Sequence, residues 1–218
     1  MSGQVNRGTY FGDQVYKLSL NKMLRNYVEV GTWNGQGSTK CFMDGILTRS
    51  DGACLYSLEA NIEFYKEAKK YWDPILEGAE SFFPQLHLLY GRIIETEDLV
   101  SIEEIEAHQI FSQHPWLEWR ARNISEYNSC DNVLSTLPEE IDVLFLDGGQ
   151  FSTRAEFDLL KDRTKIVLLD DTATYKTEKI REEILAVPNV WSVIFDDNHD
   201  RHGVFMACRT EFIDLLRG

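Results

Sequence analysis

Apolar residues gather in seven short runs rich in β-branched and aromatic side chains: NYVEV at 26–30, CLYSLE at 54–59, LHLLY at 86–90, DVLFLD at 142–147, KIVLLD at 165–170, WSVIF at 191–195 and VFMAC at 204–208. Runs of this length bounded by turn residues read as strands. Between them, Ser38–Leu47, Glu63–Trp72, Thr153–Leu160 and Thr177–Leu185 space apolar residues as helices with one buried face do. Ahead of the first strand, FGDQVYKLSLNKML predicts an amphipathic helix that packs on the sheet or closes over a ligand. The alternation predicts an α/β chain with a mostly parallel sheet covered on both faces. The last two strands are separated only by DDNHDRHG, too little for a helical crossover, so they should pair antiparallel at the sheet's end.

One stretch breaks this rhythm. About fifty residues lie between Gly91 and the strand starting near Ile141, including the acidic ETEDLVSIEEIEA and the tryptophan-bearing HPWLEW. A compact domain rarely spends so much chain on a plain connection, so an insertion with its own helices is expected at about 95–140, with a lid over the site as the other reading. At 218 residues the whole chain, 1–218, reads as one domain with an N-terminal helical segment at 1–25.

Charge narrows the partners. A net charge of -14 with no Lys/Arg stripe repels a phosphate backbone, so nucleic acid is not expected as a partner. No apolar stretch reaches the ~20 residues of a membrane span, and the N-terminus lacks the apolar heart of a signal peptide, so the expected location is cytoplasmic. Cys41, Cys54, Cys130 and Cys208 are far apart with no C-x-x-C pair and read as reduced, structural thiols.

The chemistry concentrates at strand ends. VEVGTWNGQGST carries Gly31, Gly35 and Gly37 as it leaves the first strand and enters a helix, the place where open α/β sheets bind nucleotide-like ligands. A dinucleotide site needs G-x-G-x-x-G, and here Trp33 stands where the second glycine would be. A diphosphate cradle, and with it a nicotinamide-dependent oxidoreductase, is therefore disfavoured. Glu29, two residues before Gly31, also has the wrong charge for phosphate and suits a ligand bearing a cation or amine. Glu59 ends the second strand, where a carboxylate can accept both hydroxyls of a ribose; read alone, it would be an acid complementing the dipole of the following helix. Asp147 ends the fourth run, and Asp170 with Asp171 ends the fifth. In a parallel sheet these acids converge on one rim, where they need a proton or a cation, and a hard ion such as Mg²⁺ fits oxygen ligands; the plain alternative is solvated loop acids or helix caps.

VEVGTWNGQGST resembles the first motif of class I S-adenosylmethionine-dependent methyltransferases, in the E-x-G-x-x-x-G form seen in many O-methyltransferases. The resemblance implies a Rossmann-like, seven-stranded sheet with an antiparallel last strand and helices on both faces, and S-adenosylmethionine as cofactor. It implies cofactor contacts at Glu29, Gly31, Thr32, Trp33, Gly35 and Ser38 around the turn, with Gly31 and Gly35 as positions of close approach. It further implies ribose contact at Glu59 and Ala60, adenine contact at Gly91 and Arg92, and a role for Asp147. Asp147 followed by Asp170 and Asp171 resembles the metal site of catechol-type and magnesium-dependent sugar O-methyltransferases. More narrowly, LDGGQFSTRAEF with LLDDTATYK is similar to methyltransferases associated with glycan biosynthesis, which implies a sugar, glycan or other small-molecule acceptor.

The base is where this pattern departs. In the resembling metal-dependent enzymes it commonly lies two or three residues after the fourth-strand aspartate, and here those positions are Gly149 and Gln150, which accept no proton. Asp147 and Asp171 are the catalytic carboxylates expected; His202, Asp171 if it is not a ligand, and Lys176 if its pKa is depressed are the candidate bases. Trp33, Trp116 and Trp119 could supply aromatic surface for an acceptor, while Trp72 and Trp191 read as core. Two further readings stay open: a metal-independent N- or O-methyltransferase, and a cofactor-binding module without catalysis.

Overall fold

The structure is a computed structural model and describes residues 4–78, 85–108, 115–198 and 201–217. Seven helices, α1 (Tyr10–Leu20), α2 (Ser38–Ile46), α3 (Ile62–Glu77), α4 (Ile102–Ala107), α5 (Trp116–Asn128), α6 (Thr153–Leu160) and α7 (Glu178–Ala186), are found among the described residues. The strands are β1 (Asn26–Val30), β2 (Cys54–Glu59), β3 (Leu86–Arg92), β4 (Asp131–Asn132), β5 (Ile141–Leu146), β6 (Thr164–Asp170), β7 (Trp191–Asp197) and β8 (Val204–Arg209). They form one sheet in the order β4-β3-β2-β1-β5-β6-β8-β7. The sheet thus has eight strands where seven were expected. The extra one, β4, is two exposed residues pairing parallel with Gly91 and Arg92, too short and too polar to leave an apolar pattern.

The expected polarity holds. β8 runs antiparallel to both β6 and β7, and the remaining pairs are parallel. Strands buried on both faces read as continuous apolar runs, and β5 is buried at every position. Its alternate residues feed two cores. Leu144 and Leu146, with Val167 and Leu169 of β6, meet Tyr127, Phe157, Leu160, Ile180 and Ile184 of α5, α6 and α7. Val143 and Phe145, with Ile166 and Leu168, meet Phe11 and Val15 of α1, Phe42 and Ile46 of α2 and Trp72 of α3. The helices therefore cover both faces.

Local chemistry sets the helix limits. Thr9 caps α1 by accepting from Gly12 N at 3.1 Å, and α1 ends at Leu20 rather than continuing to Leu24. Asn61 caps α3 by accepting from Glu63 N and Phe64 N. The described residues of the 95–140 stretch include α4, α5 and β4 together with two short 3₁₀ turns. No described helix is long and apolar enough to cross a membrane.

β1 lies between β2 and β5, and from β1 the chain winds one way to β2, β3 and β4 and later the other way to β5 and β6. Such a reversal opens a crevice outside the carboxyl ends of the strands. Glu59, Asp147 and Asp170 end or follow the strands around it.

Candidate functional site

Gly31 takes φ +100°, and a Cβ built on it would lie 2.3 Å from the Asp147 carbonyl oxygen of the neighbouring strand end. No other residue fits this crossing of two chain segments. Trp33 follows with φ 49°, an uncommon conformation for a bulky residue, and its N–H donates to Glu59 Oε2 at 2.7 Å. Gly35, at φ +72°, is turned elsewhere: its missing Cβ makes room for the Trp72 indole, whose Nε1 donates to the Gly35 carbonyl at 2.8 Å. The space that Gly35 leaves is thus taken by Trp72.

Beside this turn lies a cavity of about 320 Å³ whose lining includes Gly31, Trp33, Glu59, Ala60, Gly91, Arg92 and Asp147. Seven of the expected site residues are thus brought together. Glu29, Thr32, Gly35 and Ser38 are not among its lining residues. Gly91 also faces β4, since a Cβ there would meet Val133 and the Asp131 carbonyl. Arg92 spends its guanidinium on the carbonyls of Tyr127 and Ile94 and on Glu95, tying β3 to the end of α5. Asn123, Glu126 and Tyr127 of α5 close the opposite wall.

Two carboxyls flank the turn with different surroundings. Glu29 is fully buried; its Oε2 accepts from Thr39 at 2.6 Å and from Ser57 at 2.5 Å, and Ser57 in turn lies 2.6 Å from Thr32. Burial pushes it up to about 7 against the opposing hydroxyls of Ser38, Ser57 and Thr39. Glu59 is partly exposed at the cavity, with Oε1 accepting from Asn61 N at 2.8 Å and Oε2 from Trp33 N. Burial, reinforced by the nearby Glu126 charge, raises it to about 7. Each Glu59 oxygen keeps a second lone pair, so the carboxylate can still accept two hydroxyls.

The acids of β5 and β6 converge as the strand ends implied: ligand oxygens of Asp147, Asp170 and Asp171 lie within 4.8 Å of one another. Two cations absent from that expectation occupy them. Lys176 Nζ lies 2.5 Å from Asp147 Oδ1 and 2.6 Å from Asp171 Oδ2. Arg201 grips the fully buried Asp170 with both arms, at 3.0 and 2.6 Å. Asp171 has φ 60°, the strained left-handed region for a residue with a Cβ. Burial raises Asp147, whereas Lys176 and Arg201 hold Asp171 below its ordinary value. Lys176 itself is raised, because its carboxylate partners outweigh the burial that would lower it. The expected reading of Lys176 as a base with depressed pKa is overturned on that ground.

These contacts decide whether a divalent ion fits. At an effective dielectric near 20 a dication about 4 Å away is repelled by the Lys176 ammonium by roughly 8 kcal/mol and attracted by each carboxylate by as much, so space decides, and the ammonium already stands between Asp147 and Asp171. Both Asp170 oxygens already face Arg201. The donor set is right for magnesium, but its oxygens are engaged by side chains, so the residues do not fit an additional ion.

The other expected residues fall as follows. His202 stands exposed on the β7–β8 turn, its backbone carbonyl accepting from Ala173 N at 2.7 Å. Trp33 is 41% exposed at the cavity and packs edge-on against Phe64, whereas Trp116 and Trp119 pack against the core, so they offer less acceptor surface than expected. Trp72 and Trp191 are core, as expected. The four cysteines are buried and unpaired.

Glu156, like Asn123, Glu126 and Tyr127, is a lining residue that went unforeseen. Glu156 of α6 lines the cavity, is 1% exposed, accepts from the Tyr127 hydroxyl at 2.7 Å, and leaves Oε2 buried without a hydrogen-bond partner. Burial brings it to about 7. Its signal was present: residues 153, 156, 157 and 160 share the buried face of α6, so an acid sits at a core position.

No protein-family model matches the chain, and no curated protein matches it. Its fold does have counterparts among solved structures, methyltransferases among them. The chain is similar to the O-methyltransferase from Bacillus cereus in complex with SAH, with TM-score 0.60 and 15% identity over 96% of this chain and 84% of that one. It is similar to the SAH-bound Podospora anserina methyltransferase PaMTH1, with TM-score 0.58 and 14% identity over 92% of this chain and 78% of that one. It also resembles the O-methyltransferase TomG from Streptomyces achromogenes in complex with SAM, with TM-score 0.56 and 13% identity over 92% and 79% of the two chains. The fold is thus the Rossmann-like methyltransferase fold, with a mostly parallel sheet and an antiparallel strand near its end.

Proposed function

We propose that this chain, acting as one domain, is an S-adenosylmethionine-dependent O-methyltransferase for a hydroxyl of a small molecule or sugar. The observation that carries the reading is Glu59: a carboxylate at the tip of β2, held by two backbone N–H groups across from the glycine turn and facing a cavity with lone pairs to spare. That the structural counterparts hold SAM or SAH supports the same ligand here. Unpaired cysteines agree with a cytoplasmic enzyme.

In this reading Glu59 accepts the ribose hydroxyls, and Gly31, Trp33 and Ala60 bound the methionine and ribose portions. Gly91, Arg92 and α5 enclose the adenine, while Glu29, Thr32 and Ser38 brace the turn from behind. Bound there, the cofactor supplies a methyl group on a positively charged sulfur, and transfer is an in-line displacement by the acceptor oxygen. Asp147, which lines the cavity just past β5 and whose carboxyl burial raises above its ordinary value, takes the hydroxyl proton as the oxygen bonds to carbon. The exposed face of Trp33 suits an apolar sugar face or a planar ring, and the net charge of -14 disfavours an anionic acceptor.

Calorimetric titration of SAM, SAH and NAD tests this reading. Binding of the first two without NAD is expected, with Glu59→Ala weakening it by roughly tenfold or more, since hydrogen bonds to a charged group contribute about 1.5–3 kcal/mol each. Binding of NAD alone, or of none of the three, would overturn it.

A further inference from the structure

We infer that the acidic rim carries its own cations: Lys176 and Arg201 stand where a divalent ion would otherwise sit, and the Lys176 ammonium positions the acceptor oxygen in its place. The three carboxylates are met by two tethered positive charges, leaving the cluster one short of neutral. Lys176 is no stray surface lysine, because its side chain is only 8% exposed and its backbone is fixed on both sides. Tyr175 and Thr177 are buried, and the Thr177 hydroxyl donates to the Asp170 carbonyl at 2.8 Å. The loop leading to it is pinned to the β7–β8 turn by Thr172 N to the Gly203 carbonyl at 3.0 Å. Arg201 comes from that same turn, so the hairpin delivers one cation while holding the loop that delivers the other.

An ammonium has three N–H bonds, and Lys176 gives two of them to Asp147 and Asp171. The third is left for a ligand oxygen. Asp147 lines the candidate cavity, whereas Lys176 lines an adjoining cleft with Tyr175, Lys179 and Ile180, so an acceptor hydroxyl meets the ammonium at the Asp147 carboxylate that the two share. Lys176 then donates to the hydroxyl oxygen as Asp147 receives its proton; the new carbon–oxygen bond forms, and the carbon–sulfur bond breaks with its electron pair going to sulfur. This role rests on the proposed methyl transfer. The cation replacement does not, so the two can fail separately.

The test is Mn²⁺ uptake by the full chain, read from the spin-resonance signal of the free ion, with wild type, K176M and K176Q compared. Wild type is expected to leave the signal unchanged up to about millimolar Mn²⁺, and both variants, checked as folded by circular dichroism, to take the ion up. Gain of binding on loss of a lysine is a result that a merely structural role would not produce. Micromolar uptake by wild type that D147N abolishes would overturn the inference, as would failure of both folded variants to bind. SAH affinity measured on the same samples reports on the cofactor reading independently.

Discussion

Glu29 is enclosed by three hydroxyls and no cation, and its carboxyl rises from an ordinary 4.5 to about 7. Between those values the folded chain holds a proton that the unfolded chain has lost, so stability falls as pH rises through this window and the loss is complete above it. On the order of 3 kcal/mol is at stake for Glu29. The melting temperature of wild type should therefore drop from about pH 5 to about pH 7.5, and Glu29→Gln should flatten the drop; equal slopes in the two proteins would exclude this cause. The residues of this site were unequally legible in sequence. Glu59 could be found because it ends a strand one βα unit after a glycine turn, a local signal. Lys176 and Arg201 could not be paired with the acids, because their contacts exist only once β8 inserts between β6 and β7 and carries residue 201 over the end of β6.

At the level of elements, the glycine turn is held from behind by α3. Trp72 donates to the Gly35 carbonyl, while Asn61, at the head of the same helix, donates its N–H to Glu59. Trp72→Phe keeps an aromatic ring and deletes the indole donor, so it should cost about 1–2 kcal/mol in denaturant unfolding and weaken SAH binding as the turn loosens. An unchanged unfolding midpoint would show that the turn holds without α3. The strands and most helices were readable because each has a short, strongly apolar period. The two-residue β4 has none, and the packing of Gly35 against Trp72 was not legible because a glycine's sequence position does not say which neighbour needs the space.

Over the whole molecule, the winding reversal at β1 places the glycine turn, Glu59 and the three aspartates on one rim, and α5, from the inserted segment, walls the cavity opposite. α5, in the 95–140 stretch, thus forms part of the candidate site, a placement that the sequence did not signal. The central claim is that this cavity holds S-adenosylmethionine, and a crystal grown with saturating SAH tests it most directly. The account predicts density for SAH in the cavity, with both ribose hydroxyls about 3 Å from Glu59 and the adenine enclosed by α5. An empty cavity with SAH bound elsewhere, or a ribose that does not meet Glu59, would contradict it.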